Sequence, residues 1–479
     1  MSQQQHSGKT VIEQYAAVIG AGAAGLVAAR ELRAEGHRVT VFESGSGLGG
    51  VWRYDPRTES EDPLGQDPKR PRVHSSMYQQ LRTNLPRDVM AFSDYPFDPS
   101  VMGTRSTDPR LFCSHNEVQA YLESFADFYD LHPMLHYNSA ITAISPIITR
   151  HHNTQPHPTS SHAPIHPDSS NSSSAAIHPD SSTSSSSSAA SAATAVSEAS
   201  SHGGNSLDQD LRPGLSSSPE QEMTYDAVVV CNGHYAEPNL PSVGGMDVYP
   251  GIQTHSHNYR ENSSYKGKVV LLVGASNSGE DISREISQVA DRVILSARTW
   301  TDAQQLGPQS QPYGDRSNIY RYPNVSGLTS DGRAHFQGYS TPESVDAVVY
   351  CTGYRYRFPF MDQCGIVATH DGHMELQAKL VARVLSGRAA LPSEREMMTD
   401  AQGQIDELKA AGLPPKQLHM QNMAQFEYND SLAALCGPDV PTTPAWRVDM
   451  YRETGVLKRA SPDHYRDDYA GHSRILAVK

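Results

Sequence analysis

Twice along its 479 residues the chain runs from an apolar strand through a glycine turn into a helix and out into a second strand. The first pass is YAAVIG followed by AGAAGLVAARELRAEGHRVTVFES; the second is GKVVLLVG followed by ASNSGEDISREISQVADRVILSAR. Parallel neighbours in a sheet need a long crossover between them, and the helix in each pass supplies it. Each pass also closes alike, DAVVVCNGHY from Asp226 and DAVVYCTGY from Asp346, an apolar strand running into glycine. Strand and helix signals alternate elsewhere too, so the fold class is α/β, with two Rossmann-like dinucleotide-binding domains related by near-duplication. Cys231 and Cys351 hold equivalent places in the closing strands, which points to buried packing for both.

In the first pass Gly20, Gly22 and Gly25 have the spacing GxGxxG between strand and helix, and Glu43 ends the next strand. The glycines permit a tight turn, close backbone approach to a pyrophosphate and close helix packing. The helix N-terminus adds amides and a positive dipole end for the anion. Glu43 is placed to accept from ribose hydroxyls, which favours an adenosine without a 2'-phosphate. The glycine spacing alone is weak; strand, helix, glycines and acid together predict a dinucleotide site. Gly49, Gly50 and Trp52 follow in GLGGVWRY. Two adjacent glycines there resemble the turn that lets a flavin's pyrophosphate and ribityl chain pass the backbone in two-dinucleotide flavoproteins, and with Glu43 they point to FAD. Trp52 either touches the flavin or simply packs.

The second pass reads Gly274-Ala275-Ser276-Asn277-Ser278-Gly279, with Ser276 in place of the middle glycine. Serine fits if its backbone stays in an allowed region, at the expense of a looser approach to the pyrophosphate. Arg298 stands at the end of the following strand, where the first unit has Glu43. A cation there cannot accept from a ribose hydroxyl but pairs well with a 2'-phosphate, so NADPH is expected at this site. The alternative is a surface arginine with no ligand.

The rest of the chain narrows the function classes. Its formal net charge of −14 argues against nucleic acid or an anionic membrane surface as the main partner. Cys113, Cys231, Cys351, Cys364 and Cys436 form no CxxC or metal spacing and leave an odd number, which suits a reducing compartment, and no metal site is expected. No stretch reaches the roughly 18 apolar residues of a membrane span, and neither end looks like a targeting segment, so a cytoplasmic protein is expected. From His151 to Glu222 the composition turns to Ser, His, Pro, Ala and Asn, with IHPDSS at Ile165 and again at Ile177. Such a segment buries too little apolar area to offset its ordering entropy and is expected to be disordered; its scattered histidines, without Cys partners, make a poor metal tract. Ser114 with Glu117 and Ser393 with Glu396 fit capping boxes, and Val118, Tyr121, Leu122 and Phe125 recur at helical spacing.

Tyr249, Gly251, His255 and Tyr259, in YPGIQTHSHNY, reproduce the spacing FxGxxxHxxxY with Tyr for the leading Phe. This resembles the fingerprint of the flavin-containing monooxygenases, where it joins the FAD domain to the NADPH domain inserted in it. The segment Met77 to Phe97, MYQQLRTNLPRDVMAFSDYPF, and the following FCSHNEVQAYLESFADFYDL are similar to the active-site stretch of plant and algal members. The resemblance implies an FAD-binding domain over 1–150, the insert over 151–222, a return strand of the FAD domain over 223–248, an NADPH domain over 249–355, and the remainder of the FAD domain with a helical tail over 356–479. The connector then reads as a hinge, with His255 either a proton carrier or an orienting group. By the same likeness Asn84 contacts the flavin edge; from the residues alone it would be a turn residue before Pro86.

The resemblance also implies a mechanism. NADPH reduces FAD, NADP+ stays bound, dioxygen gives a flavin hydroperoxide, and a soft sulfur or nitrogen nucleophile of a small molecule attacks its outer oxygen. That accounts for a chain with no catalytic triad or carboxylate pair. A disulfide reductase would need a redox Cys pair, and a ketone-oxidising relative would carry Trp at the place of Tyr259. One departure stands out: after Gly372 the chain passes almost at once into MELQAKL, where relatives have a few dozen more residues, including a late strand of the FAD domain. The alternative expectation is therefore a catalytically impaired nucleotide-binding protein.

Overall fold

The two repeated passes form two parallel sheets built to one plan. A computed structural model describes residues 12–147, 193–200, 221–300, 306–361, 374–413 and 421–469, with 193–200 described as backbone. In the first unit β1 (Tyr15–Ile19) leads through α1 (Ala23–Ala34) to β2 (Arg38–Phe42). Two one-turn helices, α2 (Arg87–Met90) and α3 (Pro99–Met102), and the longer α4 (His115–Phe128) precede β3 (Leu135–His136). A meander of β4 (Ser139–Ile147), β5 (Ala193–Ser200) and β6 (Gln221–Tyr225) then gives way to the closing strand β7 (Ala227–Val230). The parallel order is β3-β2-β1-β7.

The second unit opens with β8 (Ile252–His255), then runs β9 (Val269–Val273), α5 (Asn277–Ile286), β10 (Arg292–Ser296) and β11 (Ile319–Tyr322). Its own meander, β12 (Val325–Leu328), β13 (Arg333–Phe336) and β14 (Glu343–Ser344), precedes the closing β15 (Ala347–Tyr350). The order is β11-β10-β9-β15-β8, again parallel. Helices α6 (Met374–Leu385), α7 (Glu394–Ala410), α8 (Ala424–Cys436), α9 (Ala445–Ala460) and α10 (Tyr465–Asp468) complete the chain.

The duplication reaches individual hydrogen bonds. Asp226 accepts from the Tyr15 amide and Asp346 from the Val269 amide, each at 2.8 Å, so an aspartate at the start of the closing strand ties down the start of the central strand in both units. Both faces of each sheet are covered, which is why the central and closing strands, such as VVLLV of β9 and AVVY of β15, read as unbroken apolar runs. In the second unit Val270, Leu272, Ile282 and Val293 fill one side, and Leu271, Ile294 and Phe336 fill the other. In the first, Leu26, Val27 and Leu32 of α1 pack with Val118, Tyr121, Leu122 and Phe125 of α4, as the spacing in α4 predicts.

Three sequence readings need correction. The stretch read as disordered contains β5 and the start of β6: Ala193–Ser200 pairs antiparallel with β4 on one side and β6 on the other. Only ATAV, the first half of ATAVSEAS, alternates small residues with β-branched ones, and two flanking strands supply the hydrogen bonds that composition cannot reveal. The other residues of that stretch, 151–192 and 201–220, lie outside the described residues, as do Cys364 and the chain around Gly372. The Ser114–Glu117 capping box does not form. The Ser114 side chain makes no cap bond, and Glu117 turns inward to accept from the Ser106 hydroxyl at 2.6 Å, from the Thr107 and Asp108 amides, and from Arg87 at 3.1 Å. The Ser393–Glu396 box is present in full. Finally, the connector is a paired strand rather than a free hinge: β8 is an edge of the second sheet, hydrogen-bonded along β15. Gly251 lets it enter there, since a methyl at that position would lie 2.6 Å from the Asp346 carbonyl oxygen.

Candidate functional site

At the carboxyl end of each sheet a glycine turn delivers the chain from the central strand into a helix. In the first turn Gly20 has φ +101° and a methyl there would lie 2.5 Å from the Cys231 carbonyl oxygen; at Gly25 it would lie 1.8 Å from the Gly20 carbonyl oxygen. Gly274 and Gly279 repeat this geometry, at 2.4 Å from the Cys351 carbonyl oxygen and 1.8 Å from the Gly274 carbonyl oxygen. These four glycines are required by the protein's own packing. Gly22 is different: a methyl there would meet only Gly50, at 3.5 Å, an ordinary contact. Nothing in the protein demands glycine at 22, which fits a ligand passing over it. Neither Gly22 nor Ser276 supplies a side-chain cap to its helix, so first-turn amides of α1 and α5 are left for an anion.

Gly20, Gly22, Gly25, Glu43 and Gly50 come together as one cradle. Glu43 accepts from the Ala21 amide at 2.8 Å and from the Gly45 amide at 2.7 Å, holding the glycine turn against its own strand end, and its two oxygens retain lone pairs for a ribose. Gly49 and Gly50 both take positive φ, and Gly50 packs on Gly22. Trp52 is half-buried against the first core.

The register of the second cradle differs from the sequence reading by one residue. Gly20 donates to Phe42 O and Gly274 to Ser296 O, so Ala297, not Arg298, matches Glu43. Arg298 is exposed one position further on and makes no hydrogen bond or ion pair among the described residues. Ala297 brings no acceptor to this strand end, and Arg298 follows it as an exposed cation.

Asn84 sits half-buried in a bend whose backbone is fixed on either side. The Thr83 amide donates to Cys113 O at 2.8 Å and the Arg87 amide to Leu111 O at 2.9 Å. Upstream, the Ser75 hydroxyl donates to Val51 O at 3.1 Å, attaching this segment to the turn that holds Gly50 and Trp52. The Asn84 side chain has no hydrogen-bond partner among the described residues.

Residues that sequence reasoning passed over hold the seam between the units. Arg260, directly after the fingerprint, is buried and donates to five carbonyls: His257 and Tyr259 of its own segment and Asp55, Arg57 and Ser75 of the first unit, at 2.7–3.0 Å. Glu59 and Arg70 form a buried pair at 2.6 Å, with His257 Nε2 at 3.4 Å from the same carboxylate. His255 is fully buried, its ring edge-on to Tyr354, and burial pushes its imidazole down to about 3. It is neutral near pH 7, and its Nδ1 accepts from the His257 amide at 3.1 Å. Burial likewise holds Cys351 up at about 12 and Cys113 at about 11, far from thiolate chemistry. Only the H-S-H-N-Y-R string itself could have flagged His257 and Arg260.

Comparison with known proteins agrees with this geometry. Residues 18–66 match the family model of the NAD(P)-binding Rossmann-like domain, and residues 215–305 that of flavin-binding monooxygenase-like proteins. The Arabidopsis thaliana proteins flavin-containing monooxygenase FMO GS-OX-like 4 and GS-OX-like 3 are 36% and 35% identical, each over 96% of this chain and 95% of their own. The S-allyl-L-cysteine S-oxygenase of Allium sativum is 33% identical and superposes with a TM-score of 0.78, covering 98% of both chains. Tmm from Pelagibacter sp. strain HTCC7211, at 21% identity, 95% and 93% coverage and a TM-score of 0.67, shares the fold. With two dinucleotide cradles of one plan and relatives matched along nearly its whole length, the chain belongs to the flavin-containing monooxygenases of the plant type, oxidoreductases that work with FAD and NADPH.

Proposed function

We propose that the chain is an NADPH-dependent monooxygenase that places one oxygen atom of dioxygen on a soft sulfur or nitrogen centre of a small molecule. The observation that carries this reading is the contrast between the cradles: an acid after β2, and Ala297 followed by Arg298 after β10. The first suits the unphosphorylated ribose of FAD, the second the 2'-phosphate of NADPH. The likeness to the garlic S-oxygenase supports sulfur as the accepting atom.

When bound, the two cofactors supply the hydride and the activation of dioxygen. The chain's own residues bind, orient and keep water out. Gly22, Gly50 and the amides of α1 would take the first pyrophosphate, and Gly274, Ser276, Gly279 and the amides of α5 would take the second. Asn84 offers an amide donor and acceptor that does not titrate, able to hold reacting groups in register across a wide pH range. Trp52 packs against the first core beside that cradle. His255 and Arg260 fix the seam between the two units.

Purified protein should be yellow and should oxidise NADPH with formation of a sulfoxide from a simple thioether such as S-allyl-L-cysteine. Replacing Arg298 by Glu should raise the KM for NADPH about 10- to 100-fold, the equivalent of one lost charge-assisted contact turned repulsive, while that for NADH changes little. Equal changes for both nucleotides would remove Arg298 from the site, and a colourless protein inert to NADPH would sink the function.

A further inference from the structure

We propose that Arg466, in the four-residue helix α10, is a positioning residue that couples the second dinucleotide cradle to the segment carrying Asn84. Its Nε donates to the Thr83 carbonyl oxygen at 2.9 Å, and its Nη2 pairs with Asp281 at 2.7 Å. The Thr83 carbonyl belongs to the peptide that continues into Asn84. Asp281 lies one turn into α5, whose first turn is the second cradle. One planar guanidinium therefore spans the two halves of the reaction site, and both side chains of the Arg466–Asp281 pair are about 15% exposed, so the pair is largely withdrawn from water. An ammonium could take one partner or the other but lacks the fork that addresses both in fixed directions.

The surroundings hold Arg466 in place from both units. Asp463 accepts from Arg284 of α5 at 3.1 Å, from Arg316 at 3.3 Å and from the Asp315 amide at 3.0 Å. Asp467 pairs with Arg82, two residues before Asn84, at 2.8 Å. Lys458 of α9 donates to Asn277, the first residue of α5, at 2.6 Å. Tyr465 is buried edge-on to Phe112. The C-terminal helices are thus pinned to α5 on one side and to the Asn84 bend on the other. A small displacement of α5 as phosphates settle on its amides reaches the Thr83–Asn84 peptide most directly through the Arg466 side chain, which touches both. The consequence is coordination: Asn84 is set in place when the second nucleotide is home, and less well when it is not.

This rests on the reading that the second cradle holds NADPH and that Asn84 serves the flavin. The test uses the FAD-loaded full-length protein with Arg466→Lys and, as a milder change on the other partner, Asp281→Asn. Three quantities are measured: FAD content with Tm, the Kd for NADP+ from perturbation of the flavin spectrum, and the share of NADPH consumed that appears as sulfoxide rather than hydrogen peroxide. Both variants should keep FAD, bind NADP+ about tenfold more weakly, and shift the product balance several-fold toward peroxide. The double variant should be no worse than the more severe single one, because both remove the same bridge. Lower Tm with unchanged NADP+ affinity and unchanged product balance per bound flavin would show that Arg466 merely packs. Wild-type protein that binds FAD but no NADP+ would instead overturn the reading of the second cradle, and this proposal with it.

Discussion

Glycine at 22 and glycine at 25 are needed for different reasons, and substitution separates them. Gly25→Ala puts a methyl 1.8 Å from a backbone oxygen that cannot yield, so it should cost several kcal/mol and leave little folded protein, as read by thermal melting. Gly22→Ala meets only an ordinary contact and should fold with near-native Tm while binding FAD at least tenfold more weakly. Glu285 of α5 offers a second residue-level test. Burial, only partly opposed by the neighbouring Tyr259 hydroxyl, raises its carboxyl from the usual 4.5 to about 7. The folded state therefore keeps a proton that the unfolded state gives up, and stability should fall as pH rises from about 4.5 to 7 and then level off. Glu285→Gln should flatten that slope and raise stability at pH 8 by on the order of 2 kcal/mol, checked by denaturant titration at pH 5 and pH 8. At this scale Gly20, Gly25 and Glu43 were legible because a turn with positive φ or a strand-end acid has few substitutes. Arg298 was misplaced by one position because ILSAR does not mark where its strand ends. Arg260 was invisible because its partners are carbonyl groups, which every residue has.

Two matching cap signatures had opposite fates, and the difference lies in what surrounds each helix. Helix α7 presents no buried residue, so Ser393 and Glu396 have only each other and the box forms. Glu117 stands beside a buried arginine and three donors, and four tertiary contacts outweigh one local bond. Ser114→Ala should therefore change stability by less than about 0.5 kcal/mol, whereas Glu117→Ala should cost about 3–5 kcal/mol by leaving Arg87 buried without its partner. Both follow from urea titrations. The Ser-rich stretch carries a parallel lesson: composition identified an unusual segment but could not show a strand inside it, since pairing with β4 and β6 comes from distant residues. Removing 151–192 or 201–220 with a short linker should preserve flavin binding, because the described strands β4, β5 and β6 all remain. Removing Ala193–Ser200 as well takes the middle strand from the meander and should reduce flavin retention.

Seen whole, the chain is one architectural sentence spoken twice: strand, helix, strand, meander, closing strand, with the second copy set between the first copy's closing strand and its helical tail. Near-identical strings such as DAVVVCNG and DAVVYCTG made that plan readable, and the hydrogen bonds of Asp226 and Asp346 explain why the aspartate recurs. The arrangement of the copies was less readable, since it depends on Arg260, on Arg466 and on a connector that pairs as a strand.

That last feature limits how the enzyme can breathe. Because β8 is laced along β15 and its final residue also donates to Pro63 O of the first unit, the connector cannot swing free between the units without losing these hydrogen bonds. Amide protons of Thr254 and His255 should then exchange with solvent as slowly as those of β9, whether or not nucleotide is present.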